Sequence, residues 1–357
     1  MRIHQVVNTL VKGDAIGNNV FAMNKVLRTY YSDTKIFACN IGGNINDSTV
    51  NKISKLPELD ADDIVIYHLC EACMINDLIP KLKCKKIAIY HNTTPAYFFK
   101  QFDTAFSLMQ KKARKQIAKL SNTFDLCIAA SNFNKDDLME LGFDGSKIIT
   151  MPIIIPTQEY ITDLDKITKY YDDKYINILF VGRIVPNKKQ EDIIRVFTYY
   201  QKYINKCSRL ILVGSPFTQD YLDLLKKYIK DLNVDNIEFK QSISFNDIKR
   251  IYKSANIFLC MSEHEGFCVP LVEAMLFNVP ILAYDIEGVS ETLGEGGALI
   301  DTKEPCVIAN IINEIVCNKK FRNDILEYQQ ERVKYFDYDL AIRRFDKIIR
   351  EFLKHNS

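Results

Sequence analysis

Ile257-Phe258-Leu259-Cys260-Met261 leads through Ser262-Glu263-His264-Glu265-Gly266-Phe267-Cys268 into Val269-Pro270-Leu271-Val272-Glu273-Ala274-Met275. The five apolar residues read as a short buried strand, and Pro270 suits the first turn of a helix, where a missing N–H leaves nothing unsatisfied. The loop between them faces a helix N-terminus, where backbone N–H groups and the positive end of the dipole favour anionic or hydroxyl-rich ligands. Glu273 follows Pro270 by about one turn, on the helix end nearest the loop, so Glu265 and Glu273 can point into one crevice. A carboxylate only accepts hydrogen bonds, and the paired hydroxyls of a sugar or ribose are its natural donors.

Strand-like and helix-like segments alternate along the whole chain. Strands are expected at residues 3–7, 34–38, 64–68, 86–90, 126–129 and 148–151, then at 178–181, 209–213, 237–239, 257–261, 280–283 and 298–300. This alternation predicts an α/β protein with two Rossmann-like, doubly wound parallel sheets. The 357 residues suffice for two cores of ordinary size. The stretch 156–174 is polar, mixed in charge and without a sustained apolar period, so it reads as a linker between a domain at 1–155 and a domain at 175–335. Residues 336–357 carry Leu340, Ile342, Phe345, Ile348, Ile349, Phe352 and Leu353 at helical spacing.

A second chemical motif lies in Ile176-Asn177-Ile178-Leu179-Phe180-Val181-Gly182-Arg183-Ile184-Val185-Pro186-Asn187-Lys188-Lys189-Gln190. An apolar strand ends at Gly182, a polar turn follows, and a helical pattern begins near Gln190. Arg183 and Lys188 thus emerge at the carboxyl end of a strand, the edge where open α/β sheets bind ligands. Arginine offers a planar fork to phosphate oxygens and lysine a mobile point charge, so the two can neutralise a diphosphate.

These two motifs together resemble the signature of retaining glycosyltransferases of family 4, which have the GT-B fold. The resemblance covers Glu265-x7-Glu273 in its Glu-Gly-Phe-x-x-Pro-x-x-Glu-Ala-Met setting and the Gly-Arg-(x)4-Lys arrangement of Gly182, Arg183 and Lys188. It departs at Lys189, where family members usually have glycine. By this resemblance Arg183 and Lys188 hold the nucleotide diphosphate of the donor. Glu265, with the amides of Gly266, Phe267 and Cys268, holds the sugar hydroxyls, and Glu273 holds those of the ribose. Gly214, at the end of the strand 209–213, borders the nucleotide. The turn Val11-Lys12-Gly13-Asp14-Ala15-Ile16-Gly17 corresponds to a glycine-containing loop that faces the diphosphate, which makes Gly13 and Gly17 candidates and leaves Asp14 as a helix cap or an acceptor contact. His91, directly after the strand 86–90, takes the place of a histidine that contacts the donor sugar near the reacting carbon, with Asn92 and Thr93 beside the acceptor; His68 is a weaker candidate. The last helix is expected to cross back onto the N-terminal domain.

The activity implied is transfer of a hexose from a nucleoside diphosphate sugar to a hydroxyl of a glycan or lipid-linked acceptor, with retention, in cell-surface polysaccharide synthesis. A phosphorylase or epimerase chemistry on a nucleotide sugar, or a non-catalytic sugar-nucleotide-binding protein, are the alternatives. No cofactor and no metal are expected. Asp60-Ala61-Asp62 and Asp337-Tyr338-Asp339 have acid-x-acid spacing, but turns and a helix cap explain them. Cys70-Glu71-Ala72-Cys73 lacks the second ligand pair that a zinc site needs.

Composition narrows the partners. A formal net charge of +2 gives no global field for nucleic acid, and an apolar share of 47% excludes a disordered chain. Ten scattered cysteines fit reduced, buried thiols better than a disulfide framework. The apolar runs are too short to cross a bilayer and no secretion signal opens the chain, so a cytoplasmic location is expected. The basic segment 109–120, with the aromatic residues 97–102 before it, is a candidate surface for anionic lipid, placing the protein on the inner face of the plasma membrane.

Overall fold

A computed structural model describes residues 1–43 and 45–355. The chain divides into two compact units, one of residues 1–156 with 336–357 and one of residues 157–335. Each unit is built on a single parallel sheet flanked by helices.

In the first unit seven strands run in the spatial order Val50–Lys52, Ile36–Gly42, Ile3–Val11, Ile64–Leu69, Lys85–Tyr90, Leu126–Ala129 and Ile148–Thr150. Six of them coincide with the sequence expectation. The edge strand Val50–Lys52 was not expected, because three residues with one apolar side chain carry no period. It is held by pairing with Ile36–Ala38. Both faces of this sheet are buried, as parallel sheets require. Ile64, Ile66, Ile87 and Ile128 point to one face; Val65, Tyr67, Ala88, Tyr90 and Cys127 point to the other. The alternation follows from the period of two in a strand. The terminal helix Tyr338–His355 covers the first of these faces with Phe345, Ile349 and Phe352, against Ile3, Met23 and Ile66. Its apolar positions recur every three to four residues, so one helical stripe meets the sheet.

In the second unit six strands run in the order Ile237–Lys240, Ser208–Val213, Ile176–Val181, Ile257–Cys260, Ile281–Tyr284 and Ala298–Ile300. The central runs Ile178-Leu179-Phe180 and Ile257-Phe258-Leu259-Cys260 are buried at every position, which is why they are continuous rather than alternating in hydrophobicity. The segment read as a linker is instead built into this unit. Residues Thr157–Ile161 form a short helix, Lys249 donates to the carbonyls of Glu159 and Thr162 at 2.9 and 3.1 Å, and Lys253 donates to those of Leu164 and Ile167 at 2.8 Å each. The polar segment shows no apolar period because lysine ammonium groups and the single buried Tyr160, rather than a repeating apolar stripe, hold it.

Candidate active site

The strand Ile176–Val181 and the strand Ile257–Cys260 are neighbours, so the loops at their carboxyl ends are brought side by side. Asn187 ties them: Glu263 N–H donates to its carbonyl at 2.8 Å, and its own Nδ2 donates to the His264 carbonyl at 3.0 Å. Two loops fixed by two hydrogen bonds through one residue need little reorganisation on binding a ligand. Lys188 Nζ donates to Glu265 Oε1 across this junction, with side-chain exposures of 17% and 7%. Burial opposes the Lys188 charge, yet Glu265 and the sulfur of Cys268 outweigh it, so its pKa lies above the ordinary lysine value. Lys188 is therefore a permanent cation at the sheet edge. Arg183 is exposed just upstream, and among the described residues its guanidinium makes no ion pair; its carbonyl accepts from Gln190 Nε2 at 3.0 Å.

Lys189 closes the turn with φ +54°, in the left-handed region that costs a side chain roughly 1–2 kcal/mol. Glycine would hold the same backbone without that cost. Its ammonium lies 3.2 Å from Glu263 and 3.6 Å from Glu191.

Glu273 sits on the helix Val269–Leu276, preceded by Cys268 as its cap residue, with Pro270 in the first turn as the sequence predicts. Tyr160 Oη donates to one of its carboxylate oxygens at 2.6 Å and Tyr252 Oη to the other at 2.7 Å. Burial raises its pKa, and the two phenols pull in the opposite direction. Each oxygen keeps a lone pair for a ligand hydroxyl. Tyr252 is itself set by stacking on Phe277 at 5.1 Å. Sequence reasoning missed both tyrosines: Tyr160 lies in the presumed linker, and Tyr252 is indistinguishable from a core aromatic.

The glycines play structural parts. Gly214 has φ +147°, and a Cβ there would overlap the carbonyl of Gly182, whose own φ is +152°. The two glycines thus let neighbouring strand ends touch. Gly288 was not singled out by its sequence context, yet a Cβ on it would overlap the Glu265 carbonyl. It allows the helix Glu287–Leu293 to press against the Glu265 loop. Gly266 and Phe267 are half-buried between Glu265 and the helix start.

In the first unit the loop after the strand Ile3–Val11 ends in the helix Ala15–Tyr30, capped by Asp14, whose Oδ1 accepts from Gly17 N–H at 2.6 Å. Of the two roles open to Asp14, the cap is the one seen. Gly13, at φ +95°, donates its N–H to Asn18 Oδ1 at 3.2 Å. Both candidate glycine amides are thus already engaged within the loop.

His91 belongs to a hydrogen-bonded chain. Gln5 Nε2 donates to the Val20 carbonyl at 3.1 Å, which leaves Gln5 Oε1 to accept from His68 Nε2 at 3.0 Å. His68 Nδ1 is then an acceptor and takes the proton of His91 Nε2, also at 3.0 Å. His91 Nδ1 is left as a bare acceptor, buried and without a hydrogen-bond partner. Burial lowers the His91 pKa to about 4 and that of His68 well below the usual histidine value. Both rings are neutral at pH 7. Gln5, inside the first strand, had no sequence signal beyond being a polar residue in an apolar run. Next to His91, Asn92 Nδ2 donates to Asn134 Oδ1 at 2.7 Å and Thr93 Oγ1 to the Cys70 carbonyl at 3.0 Å.

Two parallel sheets with crossover helices define the GT-B class of glycosyltransferase fold, and solved structures of that class superpose on the whole chain. HepE of Anabaena in complex with UDP and glucose matches with a TM-score of 0.76 at 16% identity, over 98% of this chain and 100% of that one. WaaG, a glycosyltransferase involved in lipopolysaccharide biosynthesis, matches with a TM-score of 0.70 at 11% identity, over 97% and 99%. Residues 163–332 of the chain match the family model for glycosyl transferases group 1. By sequence it is similar to the O-antigen chain mannosyltransferase RfbU of Salmonella typhimurium, 25% identical over 73% of this chain and 70% of that protein. It is also 25% identical to the capsular polysaccharide biosynthesis glycosyltransferase CapM of Staphylococcus aureus, over 70% of this chain and 66% of that protein.

Proposed function

We propose that this protein is a group 1 glycosyltransferase that moves a hexose from a nucleoside diphosphate sugar to a hydroxyl of a glycan or lipid-linked acceptor in cell-surface polysaccharide synthesis, with retention at the anomeric carbon and without a metal. The observation that carries this reading is the buried Lys188–Glu265 pair, with the Tyr-held Glu273 on the helix that follows the Glu265 loop. It offers a cation for a diphosphate and two acceptors for hydroxyls within neighbouring loops of one sheet edge.

In the mechanism, negative charge grows on the leaving diphosphate as the glycosidic bond breaks, and Lys188 with Arg183 stabilises it. Glu265 then accepts hydrogen bonds from the sugar hydroxyls, and Glu273 from the ribose. The acceptor oxygen attacks the face that the diphosphate leaves, and the leaving phosphate takes its proton. His91, neutral and with a bare Nδ1, accepts from a sugar or acceptor hydroxyl and donates no proton at pH 7. The relatives' names favour polysaccharide acceptors, and both mannosyl and UDP-glucose donors occur among them.

A membrane-facing acceptor fits the first unit. Tyr97, Leu108 and Met109 are exposed, as are Lys111, Lys112 and Lys115 on the helix Thr104–Ala118. Among the described residues no helix is long and apolar enough to cross a membrane, so this basic apolar surface would attach the protein peripherally to anionic lipid.

A thermal-shift panel of GDP-mannose, UDP-glucose, UDP-N-acetylglucosamine and the bare diphosphates tests the reading, with EDTA present throughout. One donor is expected to raise Tm more than the others, since stabilisation follows occupancy. The product glycoside formed from that donor should keep its anomeric configuration by NMR. Absence of any nucleotide effect on Tm would refute the proposal.

A further inference from the structure

Around the Lys188–Glu265 pair lie two sulfur atoms that the transfer reaction does not use. Cys260 ends the strand Ile257–Cys260, and Cys268 caps the helix Val269–Leu276 on the other side of the Glu265 loop. One ligand atom from each of Cys260, Glu265 and Cys268 lies within 4.8 Å of the other two, and all three residues are buried. Neither cysteine is in a disulfide. Ser262 Oγ lies 3.5 Å from the Cys260 sulfur. Lys188 Nζ donates to the Glu265 carboxylate of this cluster, so two sulfurs and a carboxylate that already binds a cation share one buried place.

We propose that Cys260, Cys268 and Glu265 form a soft-cation site, selective for zinc or cadmium, that blocks the donor site when filled. Thiolate sulfur prefers such ions to magnesium or manganese, which seek oxygen. Zinc bonded to sulfur at about 2.3 Å in tetrahedral geometry sets its sulfurs about 3.8 Å apart, so the cluster needs to contract by no more than about 1 Å. Two cysteines and one carboxylate leave the fourth position open. Binding releases the thiol protons, so it strengthens as pH rises. A divalent cation on Glu265 competes with Lys188 for the same carboxylate, because two cations close together in a buried setting repel each other strongly. Both residues are then lost to donor binding. The inhibitory consequence rests on the proposed transferase reading; the binding itself does not.

Cadmium alone, added to reduced, metal-stripped protein, provides the test through its thiolate-to-metal ultraviolet absorption. One equivalent per chain should develop the band, while magnesium and manganese should not compete. Cys260→Ala and, separately, Cys268→Ala should each weaken cadmium binding by at least the roughly tenfold loss seen for disturbed metal shells. Cys73→Ala, in a loop of the first unit, should leave it unchanged. In transfer assays one equivalent of zinc should stop the wild type, and EDTA but not a phosphine reductant should restore it. Cys260→Ala should transfer normally and resist zinc. A band that survives both cluster variants, one that disappears in Cys73→Ala, or inhibition reversed by the phosphine alone would overturn the site. If no transfer is found with any donor, the cadmium band still decides the site, and the failure belongs to the proposed function.

Discussion

The two units bring polar groups to the same kind of place, the carboxyl ends of parallel strands, and solve burial there in opposite ways. In the second unit Lys188 keeps its charge because Glu265 faces it. In the first unit Gln5, His68 and His91 form a chain with no charge at all, because burial suppresses protonation. An ion beneath a surface persists only if paired, whereas a titratable ring without a counter-ion gives up its proton instead. On the proposed reading, the contrast divides the jobs: charge neutralisation to the second unit, neutral hydrogen-bond acceptance to the first.

The sharpest break in that contrast comes from Lys188→Met. Removing the cation should lower kcat by about 10² to 10³, the cost of losing one preorganised electrostatic group, while an assay of nucleotide affinity shows weaker diphosphate binding. His91→Asn, which deletes a neutral acceptor, should cost less. If both variants lose the same activity, the division of labour between the units is wrong.

Stability sharpens it further. Glu265→Gln strands a buried ammonium and should destabilise the protein by about 3 kcal/mol in urea unfolding, whereas Glu265→Gln combined with Lys188→Met should be less destabilised than the sum of the singles. Additive values would mean that the pair does not interact.

Most of this architecture can be read from the sequence, and the reasons for the rest are local. Strands such as Ile257–Cys260 and Ile176–Val181 declare themselves because a strand buried on both faces must be continuously apolar. Pro270 fixes the helix start beside Glu265 for a covalent reason, the missing N–H. Pairings across sequence distance leave no such mark. Nothing around Glu265 indicates that Lys188, 77 residues away, will be its partner, and nothing around Glu273 points to Tyr160, 113 residues away. Gln5 and Gly288 matter only through what they touch, which periodicity does not encode. The sequence likewise does not say that the amide of Gly17 is spent on Asp14.

The neutral chain should appear in the pH dependence. A histidine whose folded pKa is depressed, here His91 at about 4 against about 6.5 in the unfolded chain, binds fewer protons when folded. Its contribution is complete above about 6.5 and is lost as pH falls towards 4, so urea stability should drop across that window by up to about 3 kcal/mol. In His91→Gln the slope should flatten, although His68 retains part of it. The Lys188–Glu265 pair does not titrate through the lysine in this window; a slope unchanged in His91→Gln would assign it to other groups.

Tyr160→Phe probes the ribose side more gently. Losing one of two phenol donors to a buried carboxylate should cost about 1–2 kcal/mol of stability and raise the Glu273 pKa further. Nucleotide affinity should fall several-fold at pH 6 and less at pH 8, because protonation of Glu273 removes an acceptor. Equal losses at both values would mean that Tyr160 acts only through packing.

The smallest effect should come from Lys189→Gly, and its sign separates two views of the phosphate turn. The left-handed backbone at Lys189 costs a side chain roughly 1–2 kcal/mol, and glycine relieves that. Against it stand the greater freedom of glycine in the unfolded chain, about 0.5–1 kcal/mol, and two partly exposed ion pairs at 3.2 and 3.6 Å, each contributing less than about 1 kcal/mol. The balance should leave stability within about 1 kcal/mol of wild type and slightly higher at raised salt, where the ion pairs are screened but the backbone strain is not. Marked destabilisation that disappears in salt would mean that the lysine is retained for its charge on Glu263, joining the two loops from outside as Asn187 joins them from within.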